Sequence, residues 1–132
     1  MMFLDTSGLL GILDRRQPGH RDAVTLFTAA PKGVTHSGVV FELVALAESR
    51  GLLRHAALDF VDGLHTNPSI EVIHIEEQAY REGLDLLRSH DDKAWSLCDA
   101  VSFELMRDRH LFEALTTDHH FEQAGFIRLL TP

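Results

Sequence analysis

The chain opens on a short apolar run, Met2-Phe3-Leu4, that stops at Asp5-Thr6-Ser7. Such a run predicts a buried strand over residues 1–5 that delivers Asp5 to its C-terminal end. Leu9, Leu10, Ile12 and Leu13 then recur at helical spacing. A helix capped by Thr6 or Ser7 is expected to reach Arg15-Arg16, where Pro18-Gly19 breaks it. Ala23, Val24, Leu26 and Phe27 give an apolar face to a second helix over residues 20–30. Pro31-Lys32-Gly33 makes a turn, and Val34-Thr35-His36 is extended in character. Ser37 is expected to cap a third helix, residues 38–50, stopped by Gly51. Nearly every side of that helix is apolar, which predicts burial all round with Glu42 in its middle. A fourth helix over residues 52–65 follows, then an alternating strand over 70–75. The next helix, 76–89, has acids in its first turn and Arg88 in its last, as the helix dipole favours. A polar link, residues 90–93, leads to Trp95–Asp99 and a helix to about Arg109. Residues 114–118 read as a strand ending in Asp118, 119–125 as a short irregular or helical link, and 126–130 as a last strand.

Strands alternating with helices predict an α/β fold, a three-layer α/β/α sandwich around a central, mainly parallel sheet. Right-handed crossovers would gather the C-terminal strand ends on one edge, where ligands bind in such sheets. No repeat, low-complexity tract or linker interrupts the 132 residues, so one domain spanning 1–132 is expected.

Composition narrows the chemistry. Cys98 is the single cysteine, so no internal disulfide can form, which fits a reducing, cytoplasmic setting. The N-terminal residues carry no signal-peptide pattern, and no apolar run approaches the ~20 residues of a membrane span. A net charge of −8 argues against a protein that coats nucleic acid through a basic surface. It is compatible with an enzyme that concentrates acids in a metal pocket, or with pairing to a small basic protein.

Asp5 and Asp118 fall where predicted strands stop; Glu42 and Asp99 lie early in helices. Four acids at one sheet edge would resist ionising together, and a divalent cation would relieve that conflict. Oxygen ligands point to Mg²⁺ or Mn²⁺ rather than Zn²⁺. Such an ion polarises a phosphoryl oxygen and lowers the pKa of the attacking water, which suits phosphodiester hydrolysis. Each acid also has a structural explanation. Asp5 and Asp118 could cap the helices that follow them, and Ser96-x-x-Asp99 resembles a capping box. Glu42 has no cap to make, and burying it unpaired would cost several kcal/mol.

Phe3-Leu4-Asp5-Thr6-Ser7, Glu42 in its apolar helix, Trp95–Phe103 and Leu115-Thr116-Thr117-Asp118-His119-His120-Phe121 together resemble the PIN-domain family, and most of all its VapC-like toxin ribonucleases. The resemblance runs the length of the chain. It implies that Asp5, Glu42, Asp99 and Asp118 surround one or two Mg²⁺ or Mn²⁺ ions, with Thr6, Thr117 and Ser96 in support. It implies an endoribonuclease that uses water as nucleophile, an RNA substrate, a small antitoxin partner and a homodimer. The apolar helices of residues 38–64 are the expected place for surplus hydrophobic surface. Two positions depart from the family pattern: Cys98 stands where a small hydroxyl residue is usual, and His120 where a second Asp is frequent. His119-His120 lack a nearby third His or Cys, so a pocket-rim or surface position is expected of them. Asp92 reads as a solvated surface acid, Arg15, Arg16, Arg50 and Arg54 as helix-end charges, Trp95 as a packing residue, and Cys98 as no nucleophile.

Other phosphoryl-transfer readings fit less well. A haloacid-dehalogenase-type phosphatase needs an acid two residues after Asp5, where Ser7 stands. A response-regulator receiver needs a late lysine, and none follows Lys93. A solitary nuclease without an antitoxin, or a silent interaction module on the same fold, are the remaining alternatives.

Overall fold

The computed structural model describes residues 1–132. In chain order it contains β1 (Met2–Leu4), α1 (Thr6–Leu13), α2 (His20–Ala29), β2 (Gly33–His36), α3 (Ser37–Ser49) and α4 (Arg54–Thr66). Then come β3 (Ile70–Ile73), α5 (Glu77–Ser89), α6 (Leu97–Asp108), β4 (Glu113–Leu115), α7 (His120–Gln123) and β5 (Ile127–Arg128). The five strands form one sheet in the order β3-β2-β1-β4-β5, and every pairing is parallel.

This order has a direct consequence for function. The chain moves outward from β1 through β2 to β3, then crosses back to place β4 on the other side of β1. Right-handed crossovers in opposite directions put their helices on opposite faces. The strand order therefore reverses between β1 and β4, and the crevice beyond their C-terminal ends is where such sheets bind ligands. The register pairs Leu4 with Leu115. Asp5 and Thr116, the next residue on each strand, are neighbours at that point.

The core is the inner surface of this arrangement. Phe3, Leu4, Val34, Ala114 and Leu115 of the sheet are fully buried, against Leu9, Val39, Leu43, Phe103, Met106 and Phe121. An aromatic chain links the elements around the crevice. Phe121 stacks on Phe3 at 6.1 Å and meets Phe103 edge-on at 4.9 Å, and Phe103 meets Trp95 edge-on at 5.0 Å. Trp95 is thus a packing residue, its indole N–H donating to Gln123 Oε1. Helix α1 presses on β4 so closely that a Cβ at Gly8 would lie 2.0 Å from the Leu115 carbonyl oxygen. Only glycine allows this approach.

Several local expectations are corrected. Helix α1 stops at Leu13 instead of reaching Arg15-Arg16, because buried Asp14 takes the backbone N–H and the guanidinium of Arg16 in a tight turn. Ser37 does not cap α3. The cap is His36, whose Nδ1 accepts from the amides of Gly38 and Val39, while Ser37 Oγ accepts from Ile75 N. The strands are shorter than the apolar runs suggest: β3 ends at Ile73 and β5 spans two residues, although Leu129 N and Leu130 N still donate toward β4 and Thr116. Helix α3 is not buried all round. Only Val39, Leu43 and Ala47, one stripe at four-residue spacing, are buried, and Phe41 is 76% exposed.

His36 is fully buried, and its bonds define its protonation. Nδ1 accepts, so Nε2 carries the proton and donates to Ser102 Oγ at 2.8 Å, and that hydroxyl donates to the Cys98 carbonyl. Burial depresses the imidazole to about 4. A histidine that is harder to protonate when folded contributes stability above its unfolded value of about 6.5, and this is lost as pH falls toward 4. We expect about 3 kcal/mol of such loss between pH 7 and 4. Urea-unfolding midpoints against pH, compared between His36 and His36→Asn in an Asp5→Asn background, will show a flatter slope for Asn, which also caps. Parallel slopes would contradict the assignment.

Candidate active site

Asp5 occupies the N-cap position of α1, yet its side chain makes no cap bond. It turns instead to Thr116, whose hydroxyl donates to Asp5 Oδ2 at 2.7 Å. A hydroxyl has one proton to give, so the remaining contacts of Thr116 are acceptances. Asp118 N donates to Thr116 Oγ1 at 3.0 Å, and Ser7 Oγ, 3.1 Å away, must donate as well. Ser7 Oγ in turn accepts from Thr117 N at 2.9 Å. This closed network ties the end of β1 to the loop after β4.

Asp99 is both cap and pocket acid. Ser96 Oγ accepts from Asp99 N, and Asp99 Oδ2 accepts from Ser96 N, both at 3.0 Å, completing a capping box at the start of α6. Asp118 lies three residues beyond β4 rather than at its end, in the loop before α7. Its Oδ1 accepts from His120 N, a turn that starts that helix. For Asp99 the capping explanation is realised; Asp118 is not the cap of α7, whose N-cap position is His119, but makes a side-chain turn just ahead of it. In both cases the bond fixes the carboxylate in the crevice instead of competing with a role there.

These side chains share one cavity. A pocket of about 280 Å³ is lined by Asp5, Thr6, Glu42, Asp99, Asp118 and His120, with Ser7 and Ser96 among its other walls. The four acids expected to converge do so. Glu42 is exposed, so the expectation of a buried, uncapped carboxylate is overturned: α3 leaves that face open to solvent, and Glu42 stands at the rim. The support expected of Thr117 reaches the site only through its backbone; Thr116 is the threonine whose hydroxyl contacts an acid. His120 stands in the pocket itself and not merely at its edge.

The electrostatics follow from burial and crowding. Asp5 is 5% exposed, and burial pushes its carboxyl up to about 7 against the pull of the Thr116 hydroxyl, with Asp99 and Glu42 adding to the rise. Burial also raises Asp99, Asp118 pushes the same way, and the Ser96 amide and His120 oppose. Burial, then Glu42, Asp5 and Asp99, push the Cys98 thiol far up, so it is no nucleophile. Two buried polar atoms at the site, Thr6 Oγ1 and His120 Nδ1, have no hydrogen-bond partner. Asp5 and Asp99, which resist ionisation, together with the nearby carboxylates and the unpartnered polar atoms, fit a divalent cation, which would hold the acids charged and take up open ligand positions.

Of the arginines near helix ends, Arg16 is held by Asp14 and Arg54 by Glu48. Arg128 has a local task. It pairs with Glu122 at 3.0 Å and donates to the Thr117 carbonyl at 3.2 Å, steadying the loop that carries Asp118. No helix is long and apolar enough to cross a membrane.

Comparison with known proteins finds relatives along nearly the whole chain. The 23S rRNA-specific endonuclease VapC20 of Mycobacterium tuberculosis is 27% identical over 130 residues, covering 98% of both chains. The solved structure of that sarcin-ricin loop cleaving toxin superposes over 100% of both chains at a TM-score of 0.89, with 26% identity. The fold is also shared with a toxin–antitoxin complex from Klebsiella pneumoniae, TM-score 0.69 at 16% identity over 100% of both chains. FitAcB from Neisseria gonorrhoeae gives a TM-score of 0.65 at 19% identity, covering 97% of this chain and 96% of that one. Residues 2–127 match the PIN domain family, and with the five-stranded parallel sheet and its acid-lined switch point in place, the chain belongs to that family.

Proposed function

We propose that this chain is a divalent-metal-dependent endoribonuclease and the toxin of a type II toxin–antitoxin pair. The observation that carries the reading is the convergence of Asp5, Glu42, Asp99 and Asp118 on one pocket at the switch point of the sheet. The likeness to an rRNA-specific endonuclease along nearly the whole chain supports RNA as the substrate.

In this reading Asp5, Asp99 and Asp118, with Glu42 at the rim, hold Mg²⁺ or Mn²⁺. The ion supplies a polarised phosphoryl oxygen and a more acidic attacking water. The chain's own groups do the rest. Thr116 orients Asp5, the Ser96 amide orients Asp99, and the turn to His120 N orients Asp118. The buried, unpartnered Thr6 hydroxyl offers a hydrogen bond to a scissile phosphate or its water. Glu42, open to solvent, can pass a proton to bulk. Thr117 contributes by fixing the backbone between Ser7 and Asp118. The three-dimensional unity of residues 1–132 as one catalytic domain belongs to the same proposal.

Two exposed apolar regions support protein partners. Phe41, Leu53 and Leu58 stand exposed on and between α3 and α4, where self-association into a homodimer would cover them. A groove of about 540 Å³, walled by Phe41, Ile75, Tyr80, Leu97 and Val101, is of a size to take side chains of an antitoxin segment. A small upstream reading frame with a DNA-binding N-terminal part would support that partner.

The test is cleavage of ribosomal and transfer RNA by the purified chain. Cutting is expected with Mg²⁺ or Mn²⁺, to cease with EDTA, and to fall about thousandfold in a folded Asp99→Asn protein. Undiminished cutting in EDTA, or by the variant, would contradict the proposal.

A further inference from the structure

His120 is left over by this ligand set. Its Nδ1 lies 3.3 Å from Asp99 Oδ2 and 3.2 Å from Asp118 Oδ1. Neither contact has hydrogen-bond geometry, and the atom is buried without a partner. A protonated imidazole at these distances would pair with both carboxylates as an ion pair, although neither contact is aligned as a hydrogen bond. Unprotonated, it would set three lone pairs against one another.

The spacing has a simple explanation. Ligand atoms about 2.1 Å from one ion are about 3.0 Å apart along a cis-octahedral edge and about 3.4 Å apart along a tetrahedral one. Both separations, 3.2 and 3.3 Å, fall between those values. The oxygens are also pre-set: the Ser96 amide holds Asp99 Oδ2, and the His120 amide itself holds Asp118 Oδ1. Outer bonds of this kind orient ligands for a metal. His119 stands beside it, ring centroids 4.4 Å apart, and Asp118, His119 and His120 offer ligand atoms within 4.8 Å of one another. The side chain of His119 is 65% exposed and its Nδ1 is 3.8 Å from Asp118, so it is the weaker member.

We propose that His120, through Nδ1, is a nitrogen ligand to the divalent ion shared by Asp99 and Asp118, and that it tilts the site from Mg²⁺ toward Mn²⁺ and later first-row ions. This rests on the metal-site reading above and adds a ligand to it. Mg²⁺ strongly prefers oxygen and water, whereas imidazole suits transition ions.

The experiment uses the full chain loaded with Mn²⁺ and read by electron spin-echo modulation. Directly bound imidazole nitrogen is expected in the parent and in His119→Asn, and its loss is expected in His120→Asn. In calorimetry His120→Asn should weaken Mn²⁺ binding about tenfold and leave Mg²⁺ binding within about twofold. Should His120→Asn fail to fold, the signal of the parent and of His119→Asn decides alone. Bound Mn²⁺ without nitrogen modulation, or equal losses for the two ions, overturns the role of His120 while sparing the carboxylate site. Absence of any Mn²⁺ binding overturns both.

Discussion

Asp5→Asn is expected to abolish RNA cleavage, by about thousandfold or more, while the protein stays folded. Asn keeps the shape of Asp and an oxygen to accept the Thr116 hydroxyl, but it cannot supply negative charge to a cation. The fold should not suffer, because burial already pushes the Asp5 carboxyl up to about 7. An acid that binds its proton more tightly when folded destabilises the ion-free protein as pH rises from about 4 to 7. A neutral isostere escapes that cost. At pH 7.5 in EDTA, Asp5→Asn should therefore unfold at a urea concentration equal to or above that of the parent. Added Mn²⁺ should raise the midpoint of the parent only. A variant that is inactive because it is unfolded, or one that still cuts RNA, would contradict this.

The second large effect is expected at Thr116. Its Oγ1 gives a hydrogen bond to Asp5 and accepts from Asp118 N and Ser7 Oγ. Thr116→Val fits the same space and strands all three partners, at a cost of about 3 kcal/mol. Cleavage should fall about a hundredfold, through misplacement of Asp5 and Asp118 rather than loss of a reacting group. Thr116→Ser keeps the hydroxyl and should restore most of the activity, which a purely volume-filling role would not predict. The metal affinity of the Val variant, measured by calorimetry, should fall with its activity.

The element order and the parallel sheet were legible because apolar runs, helix periodicities and Gly or Pro breaks all agreed. Asp5 was legible as a strand-end acid, and Asp99 and Asp118 through their surrounding motifs. The failures have separate physical causes. The apolar pattern of α3 does not distinguish a core face from an exposed one; Phe41 is as apolar as Leu43, yet only Leu43 meets the core. The same pattern predicts a buried Glu42, which instead stands exposed at the pocket. Thr116 and Thr117 differ by a single residue of register, and only the pairing of Leu4 with Leu115 decides which hydroxyl faces Asp5. His36 went unread as a cap because the usual caps are Ser, Thr, Asp and Asn. His120 reaches Asp99 across the pocket, a contact between α7 and α6 that no local spacing encodes.

If the acids of this pocket direct water onto an RNA phosphodiester, the chemistry of the cut ends will show it. Cleavage run in ¹⁸O-labelled water with Mn²⁺ should yield labelled 5′-phosphate ends and 3′-hydroxyl ends, with no 2′,3′-cyclic phosphate. A 5′-hydroxyl beside a 2′,3′-cyclic phosphate or a 3′-phosphate would mean that the ribose hydroxyl attacks instead, and would contradict water activation at this pocket.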